Sequence, residues 1–185
     1  MRAFDGAVDS AFDRLRGRPL PDRVFYAASA LGDHSLIWLI LAGIRAIRPG
    51  RQGLAAARAA AGIGAESALV NLGIKSLFGR VRPAYANIGP LHLRRPRTSS
   101  FPSGHASAAF CAATLLGDQD PARPLYYAAA VVVATSRIYV RIHHASDVVV
   151  GVAVGVLLGR FIRRRFPLPP PSAAADTPAG VAGPQ

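Results

Sequence analysis

TSRIYVRIHHASDVVVGVAVGVLLGRFIRRR, residues 135–165, holds the contrast that decides the fold of this chain. An almost unbroken apolar run, Val148 to Ile162, is closed by Arg163, Arg164 and Arg165 and preceded by a polar connection carrying Arg141, His143, His144 and Asp147. A second apolar run, Leu125 to Val140, lies on the other side of that connection. Two apolar helices joined by a short ionisable segment are the pattern of a membrane bundle, in which charges beside the spans are costly and mark function.

Further out, the same alternation repeats. Leu54 to Phe78 reads as a helix rich in Ala and Gly, whose small side chains allow close helix contact in lipid, and Ser103 to Leu116 as another, stopped by Gly117-Asp118-Gln119-Asp120-Pro121. Toward the N-terminus, Val24 to Leu31 and Ser35 to Ile47 are apolar on either side of Gly32-Asp33-His34. Thirteen helical residues reach only about 20 Å, so Ser35 to Ile47 needs the preceding turn to cross a hydrocarbon core of roughly 30 Å. The expectation is an all-α, integral-membrane bundle of about five apolar helices, in one domain over residues 23–166.

Residues 1–22 lack the continuous apolar core of a signal peptide and carry Asp5, Asp9 and Asp13. Phe4, Val8, Phe12 and Leu15 recur at helical spacing, so the segment is either a short amphipathic helix on the membrane surface or a frayed terminus, and Pro19-Leu20-Pro21 reads as a break after it. Residues 167–185 are too rich in Pro, Ala and Gly to bury a core and read as disordered.

Composition narrows the class. The chain is 51% hydrophobic yet has a formal net charge of +12, an unusual pairing for a soluble globule. Nucleic-acid binding is disfavoured because the arginines sit between long apolar stretches rather than along one polar face. The lone Cys111 closes no intramolecular disulfide and reads as a small buried hydrophobe.

Three clusters carry chemistry. In Lys75-Ser-Leu-Phe-Gly-Arg-Val-Arg82-Pro83, Lys75 is the only lysine among 22 basic residues. An ammonium is a compact point charge and a guanidinium a planar fork, and a phosphate site can use one of each; otherwise the two residues simply mark the membrane interface. In Phe101-Pro102-Ser103-Gly104-His105 a helix begins, where free backbone N–H groups attract anions and Gly104 permits close approach. Ser103 either caps that helix or donates to the anion. In the third cluster Ser136-Arg137 precedes His143 and Asp147, a spacing that lets the carboxylate hold one imidazole tautomer and frees the other nitrogen to attack phosphorus. His144 is three residues from the same aspartate, so spacing does not choose between the histidines. Zinc is the alternative for a set of histidines and an aspartate, but Lys75, Arg82 and Arg137 repel a metal and suit a phosphate dianion, so neither metal nor cofactor is expected.

Together the three motifs resemble the type 2 phosphatidic acid phosphatase superfamily, whose signature KX6RP, PSGH and SRX5HX3D is matched without departure by Lys75–Pro83, Pro102–His105 and Ser136–Asp147. The resemblance covers about residues 25 to 165. It implies a lipid phosphatase that works through a phosphohistidine. His143 would be the nucleophile, oriented by Asp147, and His105 the acid and then the base. Lys75, Arg82, Ser103, Gly104 and Arg137 would hold the phosphoryl oxygens. The substrate class would be a lipid phosphate in the bilayer. In overall style the chain resembles compact bacterial members acting on polyprenyl-linked phosphates; undecaprenyl pyrophosphate, phosphatidic acid and phosphatidylglycerol phosphate stay open.

Two rivals are a vanadium-dependent haloperoxidase, typically soluble and larger, and a non-catalytic lipid-binding scaffold, which would have lost catalytic groups; none is missing here. Outside the motifs, Glu66 is the only glutamate and either contacts another helix or sits in a local polar pair. Arg80, Arg94, Arg95 and Arg97 either meet an anionic headgroup or decorate the interface. Arg141 and His144 border the nucleophile and would bear on substrate choice. Arg45, Arg48, Arg51, Arg58, Arg123 and Arg163 to Arg165 mark one face as cytoplasmic by the positive-inside rule, which turns the motifs outward. The motif face carries many arginines too, so the count does not settle orientation.

Overall fold

A computed structural model describes residues 1–48, 50–84, 93 and 98–170, and among them there is no β-strand. Within these residues seven α-helices follow one another: α1 (Arg2–Asp13), α2 (Pro19–Leu31), α3 (Leu36–Ala46), α4 (Arg51–Ala68), α5 (Gly104–Leu116), α6 (Arg123–Tyr139) and α7 (Ala145–Arg165). The first is the expected N-terminal helix. Pro19 opens α2 rather than breaking the chain before it, because a proline at the first helical turn loses no hydrogen bond. That helix therefore runs across the boundary expected near residue 22.

α2 and α3 meet at 68°, hinged on a 3₁₀ turn in which His34 and Ser35 take left-handed φ values of 51° and 59°. Among the described residues α7 alone is long and apolar enough to cross a membrane by itself, and the bent α2–α3 pair passes the same test jointly. α4 ends in a π turn, Leu69–Gly73, followed by a 3₁₀ turn, Ile74–Leu77. Irregular turns of this kind re-aim the side chains that follow, and here they deliver Lys75.

α5 is the hub, packed against α4, α6 and α7 and covered on nearly every side. Its small residues Ala106, Ala109, Ala112 and Ala113 are fully buried. α7 meets it with a glycine stripe, Gly151, Gly155 and Gly159, where a Cβ would lie 2.5 Å from the Ser103 carbonyl oxygen, 2.9 Å from the Ser107 carbonyl carbon and 2.8 Å from Thr114 Cβ. Apolar burial drives little helix association in lipid, so this backbone contact supplies much of the attraction. At the other end of α5 the last carbonyls are capped by arginines: Arg45 donates to Leu116 O and Arg58 to Leu115 O at 3.3 Å. Those arginines also pair with Asp120 (2.9 Å) and Asp118 (2.7 Å). Part of the positive charge counted toward a cytoplasmic face is thus neutralised by ion pairs.

Large apolar side chains ring the outside of the bundle, among them Ile44, Leu72, Leu125, Leu157 and Phe161, each more than half exposed. Such a belt suits lipid. On α1, Val8 and Phe12 pack against α6 and the neighbouring connection, whereas Phe4, and Leu15 in the turn beyond the helix, stay outside.

Candidate active site

The irregular end of α4, the N-terminus of α5 and the connection from α6 to α7 converge at one end of the bundle. Lys75, Arg82 and Arg137 are buried there, at 8%, 8% and 1% exposure, a concentration of positive charge that makes sense around an anion. Lys75 Nζ donates to Asn71 Oδ1 at 2.9 Å and reaches the start of α5, since a Cβ on Gly104 would lie 3.3 Å from it. Arg137 is anchored by Ser29 of α2, donating to its Oγ and, at 3.5 Å, to its carbonyl.

Arg82 spreads its fork over carbonyls, donating to Thr98 O (3.2 and 3.3 Å), Ser99 O (3.1 Å) and Ile142 O (3.0 Å). Its Nη1 also lies 3.1 Å from His143 Nε2. A guanidinium has only donors, so Nε2 accepts and the proton of this ring sits on Nδ1. Nδ1 in turn donates to the Ser100 carbonyl at 2.7 Å, with Asp147 Oδ2 at 3.7 Å. Spacing alone assigns the orienting task to Asp147; the geometry divides it between a nearer backbone carbonyl and the carboxylate behind it. Burial, opposed by Asp147 and reinforced by the charges of Arg137 and Arg82, holds the pKa of His143 down to about 3. The ring is neutral at physiological pH, with its lone pair directed into the cationic site.

His144 is told apart by this geometry. Its Nδ1 is 3.2 Å from Asp147 Oδ2, closer than that of His143, but it caps α7 and is partly exposed. Asp147 is fully buried and saturated, accepting from Ser100 Oγ (2.5 Å), Arg80 Nη1 (2.6 Å) and His144 N (2.9 Å).

Ser103 acts as the helix cap: its Oγ accepts from Ala106 N at 3.4 Å, and its own N–H donates to Asp147 O at 3.0 Å, tying the start of α5 to α7. Gly104 is the first residue of α5. His105 faces the hinge between α2 and α3, with Nε2 3.1 Å from Asp33 Oδ1, an ion-pair distance without the alignment of a hydrogen bond. Gly32 is needed there, because a Cβ would meet the His105 ring at 2.9 Å. Sequence reasoning leaves Asp33 as part of an interruption; an ionisable residue breaking an apolar stretch is the available signal. It also misses Ser100 and Asn71, and nothing in their local sequence marks them.

Glu66 is buried (1% exposed) in α4, in contact with another helix through Ser107 of α5. Arg94, Arg95 and Arg97 lie outside the described residues, as does the tail from residue 171. Among the described residues no three His, Cys, Asp or Glu side chains converge as a metal centre requires.

The sequence pattern of the PAP2 superfamily matches residues 55–168. The chain is 37% identical to the decaprenylphosphoryl-5-phosphoribose phosphatase of Mycobacterium tuberculosis over 134 residues, 72% of this chain and 74% of that protein. In structure it is similar to Aquifex aeolicus LpxE, with a TM-score of 0.69 at 25% identity over 85% of this chain and 93% of that one. It is also similar to the transmembrane PAP2 type phosphatidylglycerolphosphate phosphatase of Bacillus subtilis, with a TM-score of 0.68 at 24% identity over 89% and 85%, a likeness of fold.

Proposed function

We propose that this chain, which belongs to the PAP2 superfamily of lipid phosphatases, hydrolyses the phosphate monoester of a polyprenyl-linked sugar phosphate through a phosphohistidine on His143. The observation that carries this reading is the contact of Arg82 with His143 Nε2, which fixes the tautomer a nucleophile needs and aims it where a phosphate would sit. Nε2 attacks phosphorus and the ester P–O bond breaks. His105 gives its proton to the departing alkoxide, then takes one from the water that hydrolyses the N–P bond. Lys75, Arg82, Arg137 and the N–H groups at the start of α5, Gly104 included, hold the equatorial oxygens as charge spreads over them. Asp147 stabilises the imidazolium that forms as His143 is phosphorylated. With three cations placed in this way, the step needs no divalent ion.

The polyprenyl substrate class is supported by the mycobacterial relative. A multi-pass location is supported by α7, the bent α2–α3 pair and the apolar belt, and we place residues 23–166 in the bilayer with the site on the extracytoplasmic face.

The test is phosphate release by detergent-purified protein in excess EDTA, from polyprenyl-linked sugar phosphate, undecaprenyl pyrophosphate, phosphatidic acid and phosphatidylglycerol phosphate. Release should continue in EDTA and be fastest from the polyprenyl monoester. Activity that stops in EDTA and returns with a divalent cation contradicts the mechanism, and preference for another lipid contradicts the substrate.

A further inference from the structure

The most buried residue of α1 is an acid. Phe4 is 48% exposed, whereas its neighbour Asp5 is 7% exposed and points into the bundle. Asp5 Oδ1 accepts from the Ser146 backbone N–H at 2.8 Å, and Oδ2 accepts from Ser146 Oγ at 3.0 Å and from Arg80 Nη2 at 2.7 Å. Arg80 then passes its other nitrogen to Asp147 Oδ1 at 2.6 Å and to Ser146 Oγ at 2.8 Å. One guanidinium therefore bridges a carboxylate of the N-terminal helix and the carboxylate behind His143. Two turns further along α1 the connection carrying His143 is held again: Arg141, strained into the left-handed region at φ 54°, pairs with Asp13 at 2.7 Å and Asp9 at 3.4 Å.

We infer that α1 belongs to the active site and that Asp5 is a positioning residue, acting through Arg80 to keep Asp147 effectively anionic beneath His143. This rests on the phosphohistidine reading above. Its physical content is a charge count. Asp5, Arg80 and Asp147 sum to one negative charge, which favours the imidazolium formed during phosphorylation. Without the Asp5 charge the trio is neutral, and the whole of Arg80 falls on Asp147. Burial opposes ionisation of Asp5, but the two Ser146 hydrogen bonds and Arg80 overcome it and hold its pKa below the usual value. Asp5 is thus an anion at the pH of catalysis. Neither Asp5 nor Arg80 occupies a fixed position of the three motifs.

The experiment is a double-mutant cycle on full-length protein in detergent, with kcat and KM measured on the lipid phosphate that the wild type cleaves best. Asp5→Asn keeps the shape and an acceptor for Ser146 but removes the charge. It should lower kcat by about tenfold with KM changed less than about twofold, as expected for a group that acts in the transition state through a neighbour. In an Arg80→Gln background the guanidinium that links the two carboxylates is gone, so adding Asp5→Asn should change kcat by less than about twofold. A purely structural role, pinning α1 to α7, predicts instead that melting temperature falls in step with kcat, because the two residues share one ion pair, and that result would overturn the inference. Multiplying losses, or a kcat for Asp5→Asn within about twofold of wild type, overturn the inference. If Asp5→Asn does not fold alone, Arg80→Gln against the double variant carries the same test, and a lower kcat in the double overturns it. A wild type that releases no phosphate from any lipid overturns the proposed function and this inference together; an active wild type whose variants do not follow the expected cycle overturns the inference alone.

Discussion

Substituting His143 with alanine is expected to lower kcat by a factor on the order of 10⁴ or more, while the protein stays folded and still binds its lipid. The size of the effect follows from the site. His143 is buried, neutral and held at both ring nitrogens, by the Ser100 carbonyl on one side and Arg82 on the other, so its Nε2 is aimed into the cationic site. Binding should survive because the proposed phosphate ligands, Lys75, Arg82, Arg137 and the start of α5, are left intact. His144→Ala provides the contrast. That residue caps α7, so its loss should cost about 1 kcal/mol of stability and leave kcat within about tenfold. Equal losses in both variants would mean that the histidines were assigned wrongly.

The second large effect is on the fold. Gly155→Leu should prevent folding, and Gly155→Ala should cost roughly 1–3 kcal/mol, because the new Cβ would lie 2.9 Å from the Ser107 carbonyl carbon and 3.0 Å from Cys111 N, with the Ser107 oxygen closer still. All of these are backbone atoms of α5 and cannot rotate away. α5 carries His105 and α7 carries Asp147, so prising the helices apart also spoils the site. At Gly64 in α4 an added Cβ would meet nothing within 4 Å, and Gly64→Ala should be neutral or slightly stabilising. The fluorescence of Trp38, buried at 1% exposure, reports both melting curves. A Gly155→Ala protein as stable as Gly64→Ala would contradict the backbone packing of α5 on α7.

How much of this is legible in the sequence depends on the range of each interaction. Apolar runs bounded by Pro, Gly and charge place α3, α5, α6 and α7 within a few residues, because such runs are read from local composition; α4, expected to reach Phe78, ends as an α-helix at Ala68. The three motifs bring Lys75, Arg82, His105, Arg137, His143 and Asp147 to one end of the bundle, and spacing anticipates the proximity of His143 and Asp147. It does not anticipate the nearer Ser100 carbonyl, which comes from a segment 43 residues away. The π turn at Leu69–Gly73 is likewise invisible, since its sequence, LVNLG, is as compatible with a regular helix. Asp33 beside His105 and Asp5 beside Arg80 join residues far apart in the chain. Spacing sets Asp5, Asp9 and Asp13 on one helix, but only the folded chain reveals which basic groups they meet.

The proposed reaction turns on a covalent intermediate. Protein mixed with a ³²P-labelled lipid phosphate and quenched in alkali should carry label, stable to base and lost in acid as a phosphoramidate is, on the peptide that contains His143. His143→Ala should carry none. Turnover by the wild type without trapped label, label on another residue, or label retained in His143→Ala would contradict it.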